Sequence, residues 1–193
     1  MKKRKIATFW GIIMCTICVV IAPVSATSNT DITFNAVLSG GVNAMDYWIS
    51  PSCTFTATIP AAVNAWVWPG WTNPINLTGQ SSNNGSEIDF YEYSSVDGRN
   101  AYAMLYKWGP EVVTLTQLDT VGFKYDFGRI YINANYMDTY SSNRKMVITA
   151  HEMGHVFGLK DISNTSSLMY YATPISVTGV TYDANQAVVS KYP

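Results

Sequence analysis

The two histidines of this 193-residue chain stand four positions apart, in the stretch HEMGHVFGLKD at residues 151–161. On an α-helix, residues four apart lie about 6 Å apart along the axis and nearly on one face. His151 and His155 can therefore turn both imidazoles onto one ion, as zinc coordination requires. Glu152 follows His151 directly, so its carboxylate can stand beside an ion rather than on it. From that place it can take a proton from a metal-activated water and pass it to a leaving amine. A chance pair of histidines on a helix is the competing explanation, and the intervening acid argues against it.

A catalytic zinc takes three protein ligands and leaves a fourth position open. After His155 the chain has no further His, Cys or Glu, and its only acids are Asp161 and Asp183. Asp161 comes six residues after His155, just past Gly158, where a left-handed turn can end the helix and send the chain back toward the ion. Asp183 is far along and reads as a helix-start residue, which makes it the weaker candidate. The bland reading of Asp161 is a loop residue capping the polar run that follows.

Positioning these groups falls to the surrounding elements. In residues 141–160, Met146, Val147, Ala150, Met153, Gly154 and Phe157 form one apolar face of an amphipathic helix. Ser141 or Ser142 can cap its start and Gly158 can stop it. Upstream, MDYWIS (45–50) has strand propensity, and TIPAAVNAWVW (58–68) carries Ile59, Val63, Trp66 and Val67 at helical spacing before Pro69-Gly70. A short strand is expected within 73–79 and a loop over 79–86. EIDFYEY (87–93) alternates like a half-buried strand, VDGRN (96–100) is a turn, and AYAMLYKW (101–108) and RIYINANYM (129–137) are further strands. Residues 181–192 read as a closing helix with Thr181 or Asp183 at its cap. The pattern predicts an α+β fold with a mixed sheet.

HEMGHVFGLKD resembles the extended metzincin signature, H-E-x-x-H-x-x-G-x-x-H, with Asp161 where most members carry a third His, as snapalysin-like members do. The stretch SLMYY (167–171) is similar to the Met turn of that family, with Met169 eight residues past Asp161. The resemblance implies a zinc peptidase domain of matrixin-like layout: a mixed twisted sheet with two long helices, then a small C-terminal subdomain holding Asp161, the Met turn and a final helix. It further implies that Tyr171 or Tyr170 can swing onto the metal and stabilise the transition state, although both rings could simply pack the turn. AYAMLYK would be the edge strand that pairs with an extended peptide substrate. The motif pair carries the likeness; the rest of the chain follows the order of elements only. The sequence departs from matrixins in lacking the histidines for a second zinc and any cysteine switch, so Cys53 reads as a buried small apolar residue.

The N-terminus fits an exported protein. Lys2, Lys3, Arg4 and Lys5 precede an apolar run, and Val24 and Ala26 offer the small residues of a signal-peptidase site, so residues 1–26 are expected as a cleaved leader. An uncleaved anchor is the alternative. Four of the 12 basic residues lie in that leader, leaving 8 against 13 acidic groups and a net charge of −5. Such a balance excludes an electrostatic case for nucleic acid. The remaining 27–193 suffices for one domain with its own core. Expected partners are protein or peptide substrates, with no membrane attachment once the leader is cut, and the chain is expected to work as a secreted monomer.

Two weaker signals remain. Asp89, Glu92 and Asp97 could gather calcium, though solvated strand edges explain them as well. Trp66, Trp68 and Trp71 could form a sugar-stacking platform or simply pack. The expected function is a secreted zinc metalloendopeptidase with Glu152 as general base, alongside two alternatives: a catalytically silent zinc-holding peptide binder, and an aromatic-rich adhesin or sugar binder.

Overall fold

Short apolar strands and one long amphipathic helix dominate the structure, a computed structural model that describes residues 32–109, 111–172 and 175–193. The leader expected over residues 1–26 lies outside them. Among the described residues no helix is long and apolar enough to cross a membrane.

The chain enters through β1 (Val37–Leu38) and β2 (Met45–Ile49), then forms α1 (Thr58–Val67). Strands β3 (Leu77–Gln80), β4 (Ile88–Tyr93), β5 (Ala101–Lys107) and β6 (Glu111–Val112) follow. After α2 (Leu115–Leu118) come β7 (Lys124–Tyr125), β8 (Phe127–Asn133), α3 (Ala134–Met137), α4 (Ser142–Val156) and α5 (Tyr182–Lys191). The main sheet has the order β3-β2-β4-β8-β5-β6. Strands β3, β2, β4 and β8 run parallel, while β5 is antiparallel to both β8 and β6. The result is a mixed α+β fold with a mixed sheet, as the sequence predicts.

One face of the sheet is greasy and carries α4. Ile88, Phe90, Ile130 and Ile132 are fully buried. In α1, Ile59, Ala62, Val63 and Trp66 recur at i, i+3, i+4, i+7 and are buried against α4. Each such side chain contributes roughly 1.5–3 kcal/mol on burial. Trp66 does more than fill space: its indole N–H donates to the carbonyl of Ala150 at 2.8 Å, one residue before the first histidine. The opposite face is aromatic. Tyr91, Tyr131 and Tyr102 stack across β4, β8 and β5 with ring centroids 5.4 and 4.9 Å apart.

Several sequence expectations shift. The strand expected within 73–79 lies at Leu77–Gln80, so the loop begins two residues late. The first half of β4 is not half-buried: Ile88, Asp89 and Phe90 are all buried, because a parallel strand between two neighbours is covered on both faces. Asp89 is accommodated there by the Ser86 hydroxyl and by Arg129 at 3.6 Å. The strand expected over 129–137 starts at Phe127 and stops at Asn133, whose side chain caps α3 by accepting from Asn135 N. Strand β5 is not outermost along its whole length, since β6 pairs with Tyr106 and Lys107. Its other end, Ala101–Met104, has no second partner strand among the described residues. Thr181 stands at the start of α5 as expected, but its hydroxyl accepts from Leu168 N instead of capping the helix.

Candidate metal centre

Helix α4 starts where Ser141 Oγ accepts from Arg144 N, and its buried side packs on the sheet. At its far end His151 and His155 project together, with ring centroids 4.8 Å apart and planes at 90°. The helix stops at Gly158, whose φ of +84° is left-handed and which only glycine adopts cheaply. Three residues later Asp161 returns to the histidines. Its Oδ1 lies 3.2 Å from His151 Nε2 and 3.7 Å from His155 Nε2. All three ligand atoms lie within 4.8 Å of one another. A tetrahedral zinc with bonds of about 2.0–2.1 Å separates its ligand atoms by roughly 3.3 Å, so small side-chain shifts would close the three around an ion.

The ring tautomers support the same use. His151 Nδ1 lies 2.8 Å from the carbonyl of Leu168, and His155 Nδ1 lies 2.9 Å from the carbonyl of Leu159. A carbonyl oxygen only accepts, so each Nδ1 carries a proton and each Nε2 is left facing Asp161, where it can donate to the carboxylate when protonated or turn its lone pair to an ion when not. This is the outer support that orients metal-binding imidazoles. Two neutral nitrogens and a carboxylate oxygen form a donor set that suits zinc, with other first-row divalent ions as competitors.

The closeness of the three side chains shifts how His151 and Asp161 titrate. Burial pulls the His151 imidazolium pKa downward. The hydrogen bond to Asp161, the charge of Glu152 and the Leu168 carbonyl outweigh that pull, and the pKa lies above the ordinary histidine value. Burial likewise pushes Asp161 up, but the His151 hydrogen bond and the two imidazoles bring its carboxyl below the usual range. The same negative oxygen that stabilises a proton on His151 would stabilise a cation between the rings.

The turn after Asp161 braces the centre from below. Ile162 N donates to the Met169 carbonyl, and Tyr171 N donates to the Ile162 carbonyl. Met169 is fully buried, and a Cβ placed on Gly154, between the two histidines, would come within 2.5 Å of its sulfur. The absence of a side chain at Gly154 thus lets Met169 seat against the ligand-bearing turn of α4. Leu168, in the same turn, supplies the carbonyl that orients His151.

Glu152 is buried and, with His151, lines a cavity of about 160 Å³. Tyr170, Tyr171 and Ala172 form part of its wall. Tyr171 is 65% exposed, and its ring centroid lies 5.0 Å from that of Tyr170. Thr173 and Pro174, which follow Ala172, lie outside the described residues. Asp183 is not a member of the ligand group; it sits in the first turn of α5.

Of the opposite wall, the sequence suggested only the strand that begins at Ala101. Arg99, Asn100 and Ala101 line the same cavity. Fully buried Asn133 holds their loop by accepting from Ser95 N and donating to the carbonyls of Ser95 and Arg99. An Asn ending a strand just before a short helix was the available signal, and it reads as a cap. The carbonyls of Leu159 and Leu168 were likewise invisible, because any residue type supplies a carbonyl.

The structure does not gather the three calcium candidates. Asp89 is taken by Ser86 and Arg129, Glu92 accepts from Thr54, and Asp97 accepts from Tyr93 and Arg99 N. The tryptophans are also divided: Trp66 is fully buried, while Trp68 and Trp71 are exposed. Cys53 is buried as expected, and burial raises its thiol pKa.

No protein-family model matches the chain, and no curated protein matches it significantly.

Proposed function

We propose that the chain is a secreted, metzincin-like zinc metalloendopeptidase. The observation that carries this reading is the convergence of His151, His155 and Asp161 within 4.8 Å, with Glu152 lining the adjoining cavity. Met169 beneath Gly154 and the open run Ala101–Met104 beside that cavity support it. A divalent ion held by the three ligands would supply Lewis acidity toward a scissile carbonyl.

The remaining steps belong to the chain. An extended peptide adds to the open half of β5 through main-chain hydrogen bonds, which holds the scissile bond over the ligands. Glu152 takes the proton of the attacking water as the carbonyl becomes tetrahedral, then delivers it to the departing nitrogen. Tyr171, exposed on the cavity wall, is the candidate to hydrogen-bond the developing oxyanion, and Tyr170 is its alternative.

Casein hydrolysis by purified residues 27–193 tests the proposal. Activity should vanish with a chelator and return with zinc. Glu152→Gln should lower it about 10²–10⁴-fold while zinc content is unchanged. A zinc-bearing protein that binds peptide and cuts nothing would instead be the silent binding module.

A further inference from the structure

The chain between His155 and Asp161 is held from outside by the first described segment. Phe34 N donates to the Gly158 carbonyl at 2.8 Å, and Lys160 N donates to the Ile32 carbonyl at 2.8 Å. These two bonds flank an antiparallel bridge between Thr33 and Leu159. Ile32 is 1% exposed, so a buried anchor fixes the segment. A third contact ties it from the other side: Lys191 Nζ, at the end of α5, donates to the Phe34 carbonyl at 2.6 Å. The Lys191 stem lies so close over Gly158 that a Cβ there would collide with it.

The bridge sits at a consequential place. Leu159, its inner partner, gives the carbonyl that orients His155. Lys160, which bonds Ile32, immediately precedes Asp161. Other main-chain bonds hold the run as well, Gly158 N to the His155 carbonyl, Leu159 N to the Gly154 carbonyl and Ile162 N to the Met169 carbonyl. On either side of Leu159, the carbonyl of Gly158 and the N–H of Lys160 are both bonded to Ile32–Phe34. Without them, this stretch loses the partners that fix the direction of the Leu159 carbonyl and the approach of Asp161.

We infer that Ile32–Phe34 is a positioning element of the metal centre, locked by Lys191, and that undocking it weakens the hold on a divalent ion. The inference rests on the metal-centre reading. It makes the segment a strap outside the site whose seating sets how well two of the three ligands are aimed. Ligand orientation by outer partners changes metal affinity by about 10–100-fold in known centres, and the strap should act within that range.

The test titrates the apo form of residues 27–193 with cobalt(II), read by visible absorption, beside apo thermal midpoints. Phe34→Pro removes the N–H that bonds Gly158 and should weaken cobalt binding about 10–100-fold. Lys191→Met keeps the stem but not the hydrogen bond, and should weaken it about fivefold. If Phe34→Pro fails to fold, Lys191→Met decides. Ile88→Ala, in the core of β4, should lower the midpoint without changing cobalt affinity. Unchanged affinity in the strap variants, or equal loss in Ile88→Ala, overturns the inference. A parent protein that takes up no cobalt overturns the metal reading itself.

Discussion

Replacing Asp161 with Asn preserves the shape of the side chain and removes its charge, and the consequence for metal binding can be worked from the site. Structural zinc binding of about 10–16 kcal/mol, spread over four ligands, amounts to about 2.5–4 kcal/mol for each. Loss of the anionic ligand should therefore raise the dissociation constant roughly 10²–10³-fold at neutral pH. The Asp161 oxygen already stands 3.2 and 3.7 Å from the two Nε2 atoms, so little rearrangement is available to soften that loss. A second effect has the opposite sign. Asp161 holds the His151 pKa up, which lets protons compete with the ion for Nε2. Removing Asp161 lets that pKa fall, with Glu152 and the Leu168 carbonyl still opposing burial. The deficit of the variant should then shrink as pH drops from 8 to 5. Chelator-competition titrations at several pH values would measure it. An unchanged dissociation constant at pH 7.5, or two profiles that stay parallel into acid, would refute the reasoning.

Three further expectations follow from other parts of the fold. Asn133→Ala deletes a fully buried side chain that secures the Ser95–Arg99 loop; it should cost about 2–4 kcal/mol in chemical denaturation and raise KM more than it lowers kcat. Burial depresses the Lys191 pKa to about 8 from 10.5. Between those values the unfolded chain binds the extra proton, so stability should rise with pH from 8 to 10.5 relative to Lys191→Met, and coinciding curves would contradict this. Buried Cys53, with its thiol pKa raised by burial, should resist an aromatic disulfide reagent in folded residues 27–193 and react once the chain is unfolded.

The convergence of His151, His155 and Asp161 could be read from the sequence because its signals are local. Two histidines on one helical face and a glycine stop before an aspartate set the direction of the three side chains within eleven residues. The long helix and the helix at Thr58–Val67 were legible for the same reason, since their 3.6-residue periodicity is strong. The parts that escaped depend on distant partners. β1 and β7 are two residues each and exist only because they pair across more than eighty positions. The four-residue helix at Leu115–Leu118 did carry a readable capping box, Thr114 with Gln117. The pattern at 87–93 suggested one wet face, and only the neighbours on both sides explain why Asp89 is buried. The far wall of the cavity comes from a turn whose composition speaks of solvent, yet its position is set by one asparagine nearly forty residues away.

The partners that aim both imidazoles are main-chain atoms, the carbonyls of Leu159 and Leu168. No single codon change deletes a carbonyl. Where a side-chain acid performs this task, one substitution can retune or abolish it; here the aim of the two imidazoles is insulated from point mutation and shifts only when the backbone path moves. Random mutagenesis for altered metal preference should accordingly yield few variants at residues 159 and 168 themselves, and its productive changes should cluster where the chain's course can bend, at the glycine stop and in the turn that carries Met169.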